Sequence, residues 1–149
     1  MPACTLIKQV NAPPERVFAF LADMNNWERA ISAIKEIEVL TPGPVGKGTR
    51  FKETRVMFGK EATETMEITA WDPPRSHAIE ADSCGARFIS TISIEPTGAG
   101  STIRMHTRTV AQTFFAKLFA PLGYLMMGMM KKAMQKDLDD LAKAIETNK

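Results

Sequence analysis

The sequence predicts an α+β fold, an antiparallel sheet bearing one long helix on a single face. Three observations predict it. Residues 3–10 alternate weakly between apolar and polar positions, and from residue 34 to 111 the same period of two runs through six consecutive segments. Those segments are divided by short turns rich in Gly and Pro, which join antiparallel neighbours and leave no room for crossover units. From residue 114 onward the apolar residues recur at three- or four-residue steps instead, over one long run.

The first strand stops before Asn11-Ala12-Pro13-Pro14, a helix-start signal. Asn11 is a candidate cap, the prolines sit in the first turn where a missing N–H costs little, and Glu15 suits the positive helix end. Val17, Phe18, Leu21 and Ala22 mark one apolar face, and this helix is expected to end near Asp23-Met24-Asn25-Asn26. Trp27 to Ile31 reads as a second short helix that turns the chain back.

Ile34 to Thr41 is the next strand, closed by Thr41-Pro42-Gly43-Pro44. Thr49 to Met57 follows, then a Phe58-Gly59-Lys60 turn. In Glu61 to Trp71, Met66, Ile68 and Ala70 alternate with Thr65, Glu67 and Thr69, and Asp72-Pro73-Pro74 ends the segment. Arg75 to Asp82, Ala86 to Glu95 and Ser101 to Gln112 complete seven strands in all. The terminal helix, Phe114 to Lys149, carries Leu118, Leu122, Met126, Met129 or Met130, Ala133 or Met134, Leu138, Leu141 and Ile145 on its apolar stripe. Lys131, Lys132, Lys136, Asp139, Asp140 and Lys143 fall mostly opposite. Pro121 either kinks this helix or marks its start. A sheet of seven strands is too large for one helix to cover without leaving space, and such a gap is where ligand pockets form.

Composition narrows the function. At 149 residues the chain is expected to be a single domain, 1–149, whose core needs no staple. Its 19 basic residues against 17 acidic ones are spread without a dense block, so no nucleic-acid partner is expected. Cys4 and Cys84 show no zinc spacing and read as free thiols of a cytoplasmic protein, although a disulfide stays open. The N-terminus carries no secretory signal. The most apolar window, Phe114 to Met130, holds Lys117 and Pro121 and is too short for stable membrane insertion. A homodimer stays open.

The series Asn11-Ala12-Pro13-Pro14-Glu15-Arg16-Val17-Phe18-Ala19-Phe20-Leu21-Ala22-Asp23, Trp27, Gly46-Lys47-Gly48-Thr49-Arg50-Phe51, Ile68-Thr69-Ala70-Trp71-Asp72-Pro73-Pro74-Arg75 and Gly100-Ser101-Thr102, closed by a terminal helix, resembles the START-like (SRPBCC) superfamily, polyketide cyclase/dehydrase type. The resemblance spans nearly the whole chain. It implies a helix-grip fold, in which a curved seven-stranded antiparallel sheet wraps the C-terminal helix around a cavity for lipids, sterols, polyketides or similar apolar molecules. It implies no catalytic position, because members range from carriers to cyclases.

Ten methionines stand out, and Met126, Met127, Met129, Met130 and Met134 cluster on the terminal helix. Methionine is unbranched and polarizable, so Met126, Met129, Met130 and Met134, with Leu122, are expected to form a cavity wall that re-packs around different ligands. The alternative is that they fill core gaps, and the adjacent pairs cannot all point one way. On the sheet, the apolar parity places Phe51, Met57, Met66, Ile68, Ile79, Phe88, Ile92, Ile103 and Met105 inward, and with them Glu53, Arg55, Glu64 and His77. Inward charges must pair or line a wet pocket, unless they lie near strand ends or a bulge flips the register. Glu53 and Arg55 share a face and suit a polar ligand head.

His77 is the better histidine for proton transfer but has no partner identifiable in sequence, whereas His106 reads as solvated. Trp27 is either a core aromatic or part of the pocket mouth. Neither metal-ligand spacing nor a nucleotide or nucleophile motif is present, so no metal or cofactor is expected. The ligand-binding candidates are therefore Trp27, Phe51, Glu53, Arg55, Met66, His77, Phe88, Ile92, Met105, Leu122, Met126, Met129 and Met130. The expected function is binding or carriage of an apolar small molecule. The rivals are a polyketide cyclase or dehydratase using Glu53, Arg55, Glu64 or His77, and a docking module exposing Phe114, Phe115, Phe119 and Leu125.

Overall fold

Alternation at period two produces long strands, and the connections between the last six are short enough that each pairs with its neighbour in sequence. The computed structural model describes residues 3–57, 59–83, 85–113 and 120–147, and the side chains of all of these except 57, 83, 111 and 120–127. Chain order is β1 (Ala3–Val10), α1 (Pro14–Ala22), α2 (Met24–Ala30), β2 (Ile34–Val39), β3 (Arg50–Met57), β4 (Lys60–Asp72), β5 (Ser76–Ser83), β6 (Ala86–Thr97), β7 (Gly100–Ala111) and α3 (Ala120–Thr147). The strands form one curved antiparallel sheet in the order β1-β7-β6-β5-β4-β3-β2. β1 reaches the far edge because the two short helices carry the chain across, so it pairs with β7. Gly100 allows this join: any Cβ there would collide with the Val10 carbonyl oxygen.

The helix starts differ from the expectation in detail. Asn11 does not cap α1. Pro13 holds the cap position with no side-chain hydrogen bond, two residues beyond Asn11, whose Nδ2 donates instead to Glu146 Oε2 at 3.2 Å. The prolines supply the entry geometry by themselves. α2 starts at Met24 rather than Trp27, because the Asp23 side chain accepts from the Asn25 N–H at 3.0 Å and restarts the helix at once.

A bulge between Ile68 and Ala70 changes the parity of β4. Trp71 therefore pairs with His77 and packs against the core, while Ala70, in phase with Met66 and Ile68 along the sequence, is exposed. The core joins Val17, Phe18 and Leu21 of α1, Trp27 of α2, Phe51, Ile68, Ile92, Ile94 and Ile103 of the sheet, and Leu138, Leu141, Ala142 and Ile145 of α3. Each such large side chain contributes about 1.5–3 kcal/mol on burial. Polar ties fix the same half of α3. Lys8 pairs with Asp139 at 3.0 Å, Asp140 Oδ2 accepts from both the N–H and Oγ of Ser32 at 3.0 Å, and Arg16 donates to the Ile145 carbonyl. Among the described residues, no helix is long and apolar enough to cross a membrane.

A candidate site between the sheet and the terminal helix

Strand register carries the inner face across the sheet in rows. Phe51 lies opposite Met66, Met66 opposite Ala81, Ala81 opposite Phe88, and Phe88 opposite Thr109. The adjacent row runs Ile68, Ile79, Ser90, Thr107 and Cys4. Burial declines along these strands: on β6, Ile94 and Ile92 are buried whereas Ser90 and Phe88 are half-buried. It declines the same way along α3, where Ile145, Leu141 and Leu138 are buried and Met134 and Met130 half-buried. The two gradients meet where Thr107 Oγ1 donates to Met134 Sδ at 3.6 Å. Sheet and helix thus pack tightly at one end, and toward the other the described side chains become half-buried. These are Met66, Ile79, Phe88, Met105, Met130 and Met134, of which Met66, Ile79, Met105 and Met134 still pack against the core.

A polar cluster borders this surface. Glu53 and Arg55 alternate inward on β3, Glu53 in the row beside Phe51 and Met66 and Arg55 one row further on. Arg55 Nε donates to Glu53 Oε1 at 2.7 Å, and its Nη2 donates to Asp137 Oδ2 of α3 at 2.8 Å. The three side chains are only 8–15% exposed. Burial pushes the Asp137 carboxyl above its ordinary value, with Arg55 opposing; burial also works against the Arg55 charge, but the two carboxylates outweigh it and hold the guanidinium above the usual arginine range. Asp137 Oδ1 is buried with no hydrogen-bond partner among the described residues. Glu64, opposite Glu53, adds a half-buried carboxylate to the same side.

Other candidates are placed elsewhere. His77 faces inward but is enclosed, 1% exposed, with neither ring nitrogen hydrogen-bonded among the described residues. It stacks on Trp27 at 6.3 Å between ring centroids, with Trp71 at 5.8 Å and Phe18 at 6.0 Å, and burial pushes it down to about 4. The neutral imidazole is walled off by these three aromatic rings, although it shares the Ile92–Met105 row. Trp27 is core rather than pocket mouth: it is buried and its Nε1 donates to the Leu21 carbonyl at 2.8 Å. Phe51 and Ile92 are buried in the core.

Met129 is corrected outright, since it is 51% exposed while its neighbour Met130 is half-buried. One residue is a 100° rotation, so a helix cannot turn both inward. The side chains of Leu122, Met126 and Leu125, and residues Phe114, Phe115 and Phe119, lie outside the described residues. His106 is exposed, with Nδ1 2.8 Å from Thr5 Oγ1. Cys4 is a free, half-buried thiol; Cys84 lies outside the described residues.

A groove of about 310 Å³ opens on the opposite, outer face of the sheet, lined by Arg50, Glu67, Glu80, Asp82 and Arg87 among others. Its charges are mutually paired, Arg87 with Asp82 at 2.9 Å and Glu80 at 3.5 Å. It is a solvated face rather than an apolar ligand site. Two site residues escaped the sequence reading. Asp137 stands three positions after Met134 and four before Leu141, so its place on the apolar stripe was the available signal. Ser90, whose Oγ lies 2.9 Å from Thr107 Oγ1, gave no signal beyond strand parity.

The arrangement has counterparts among known proteins. TTHA0849 from Thermus thermophilus superposes with a TM-score of 0.78 at 20% identity, over 97% of each chain. Ara h 8.0201 gives 0.75 at 20% identity, again over 97% of each. The di-domain ARO/CYC BexL from the BE-7585A biosynthetic pathway gives 0.78 at 13% identity, over 97% of this chain and 50% of that one. At these identities the likeness is one of fold. No curated protein sequence matches significantly. The sequence profile described as polyketide cyclase / dehydrase and lipid transport matches residues 1–146, and the chain belongs to that family.

Proposed function

We propose that the protein binds or carries an apolar small molecule, of lipid, sterol, polyketide or quinone-like character, between the sheet and α3. The observation that carries this reading is the shared loss of burial along β6 and α3, which leaves Met66, Ile79, Phe88, Met105, Met130 and Met134 half-buried on facing surfaces. Flexible thioethers on both sides suit ligands of varied shape. A ligand burying roughly 300 Å² of apolar surface there would gain about 7–8 kcal/mol before the cost of association is subtracted. Native mass spectrometry of the purified protein, followed by organic extraction, tests this. A retained apolar molecule, or uptake of an apolar fluorescent probe that Phe88→Glu abolishes, is the expected result. A protein that holds neither overturns the reading.

A second reading, cyclase or dehydratase chemistry, is supported by the buried Glu53–Arg55–Asp137 cluster beside the same surface. It does not extend to His77, whose nitrogens are sealed among aromatic rings. Turnover of a poly-β-keto chain that is lost in Asp137→Asn would favour the enzyme. Binding without turnover favours the carrier.

A further inference from the structure

The Glu53–Arg55–Asp137 cluster is incomplete in one respect. Arg55 serves one oxygen of each carboxylate, and its ion pairs leave two negative charges against one positive. Among the described residues Asp137 Oδ1 accepts no hydrogen bond, although it is buried and a desolvated carboxylate oxygen costs free energy when left unfilled. The neighbouring donors on α3 are turned away. Lys136 donates to Asp140 at 2.6 Å and Gln135 to Asp139 at 3.1 Å, while Lys8 of β1 reaches Asp139. The position is also adjacent to the half-buried surface. Asp137 follows Met134 by one helical turn, and Glu53 and Glu64 occupy the row beside Phe51 and Met66.

We propose that Asp137 Oδ1 receives the hydrogen-bond donor of a ligand's head group, a hydroxyl or a protonated amine on an apolar body, and that carboxylate-headed molecules are excluded. The proposal rests on the carriage reading and adds its polarity. A donor fills the vacant acceptor, and a protonated amine also offsets the excess negative charge. An anionic head would bring a further carboxylate beside Glu53, Glu64 and Asp137, with Arg55 already engaged twice.

The test uses three probes of equal chain length at pH 7.5: 1-decanol, decylamine and decanoate, each titrated against a bound apolar fluorophore. The alcohol or the amine is expected to bind roughly tenfold or more tightly than decanoate, as a charge-assisted hydrogen bond allows. The alcohol and amine arms separate a neutral donor from a cationic one. In Asp137→Asn, with the amide oxygen held by Arg55, the amide NH₂ replaces the vacant acceptor by a donor, and the preference is expected to shrink to within about threefold. Decanoate binding as well as the other two in the wild type overturns the proposal while leaving carriage intact, and is the result if a trapped water fills Oδ1. A preference that survives in a folded Asp137→Asn overturns it as well. If the fluorophore and all three probes fail to bind, carriage itself falls and the proposal with it. Should Asp137→Asn not fold, the wild-type comparison alone decides.

Discussion

Arg55 Nη2 donates to Asp137 Oδ2 at 2.8 Å, joining β3 to the terminal helix across 82 positions of sequence. Glu53 takes the guanidinium's Nε at 2.7 Å, so one cation compensates two carboxylates in a largely dry place. Arg55→Met should therefore cost about 3–5 kcal/mol, because it leaves both anions uncompensated. The triple variant Glu53→Leu, Arg55→Met, Asp137→Leu should recover most of that loss, since apolar residues of similar size need no partner. Urea unfolding at pH 7.5 checks both. A single variant within about 1 kcal/mol of the wild type would show that solvent already screens the cluster.

His77 makes a pH prediction with a definite sign. Its folded value is about 4 against an ordinary 6.5, so the unfolded chain takes up the proton first as pH falls. Stability from this group is complete above pH 6.5, declines between 6.5 and about 4, and is then lost by about 3 kcal/mol in all. His77→Phe removes the titrating ring and its two unpartnered nitrogens. It should match or exceed the wild type at neutral pH by up to about 1–3 kcal/mol and lose less stability between pH 6.5 and 4. Equal slopes for the two proteins in that range would refute the assignment.

Much of this was legible in the sequence, for identifiable reasons. Period-two runs and Gly/Pro turns specify antiparallel strands, and the inward parity of Phe51 carries Glu53 and Arg55 inside with it. What parity cannot supply is the partner on another element. Asp137 is one of several charges in Lys136-Asp137-Leu138-Asp139-Asp140, and only its phase relative to Met134 and Leu141 distinguishes it from Asp139, which meets Lys8 outside. The bulge that turns Trp71 toward the core and leaves Ala70 exposed has no compositional trace beyond the residues themselves. His77 looked like a proton donor because parity reports the direction of a side chain and not whether the space it enters is sealed.

The Met129–Met130 pair gives a contrast in which composition is held constant. Met129→Lys should change stability by less than about 0.5 kcal/mol, because that side chain is already half in solvent. Met134→Lys places an ammonium where the sulfur now meets Thr107 and the core, and should cost about 2 kcal/mol or more. The same substitution should weaken apolar probe binding at least tenfold, whereas Met129→Lys leaves it unchanged. Thermal unfolding and fluorescence titration of the two variants decide the matter, and equal effects would contradict the helix phase.

Ser90, Thr107 and Met134 form one chain of contacts from the sheet to the terminal helix. Ser90 Oγ lies 2.9 Å from Thr107 Oγ1, which donates in turn to Met134 Sδ at 3.6 Å. A hydroxyl has one proton, so Thr107 spends its proton on the sulfur and accepts from Ser90. Met134 is thereby held against β7, whereas Met130, one turn away, has no such tie among the described residues and is expected to be the freer side chain. Thr107→Val keeps the shape and removes the donor. The loss in stability should be about 1 kcal/mol or less, because a weak sulfur acceptor is given up and half-buried Ser90 can turn to water. The effect on motion should be larger: the Met134 methyl order parameter, read by ¹³C-methyl relaxation, should fall toward that of Met130, while Thr107→Ser preserves the difference. An unchanged Met134 methyl in Thr107→Val would mean that packing alone fixes the sulfur, and that both methionines are equally free to follow a ligand.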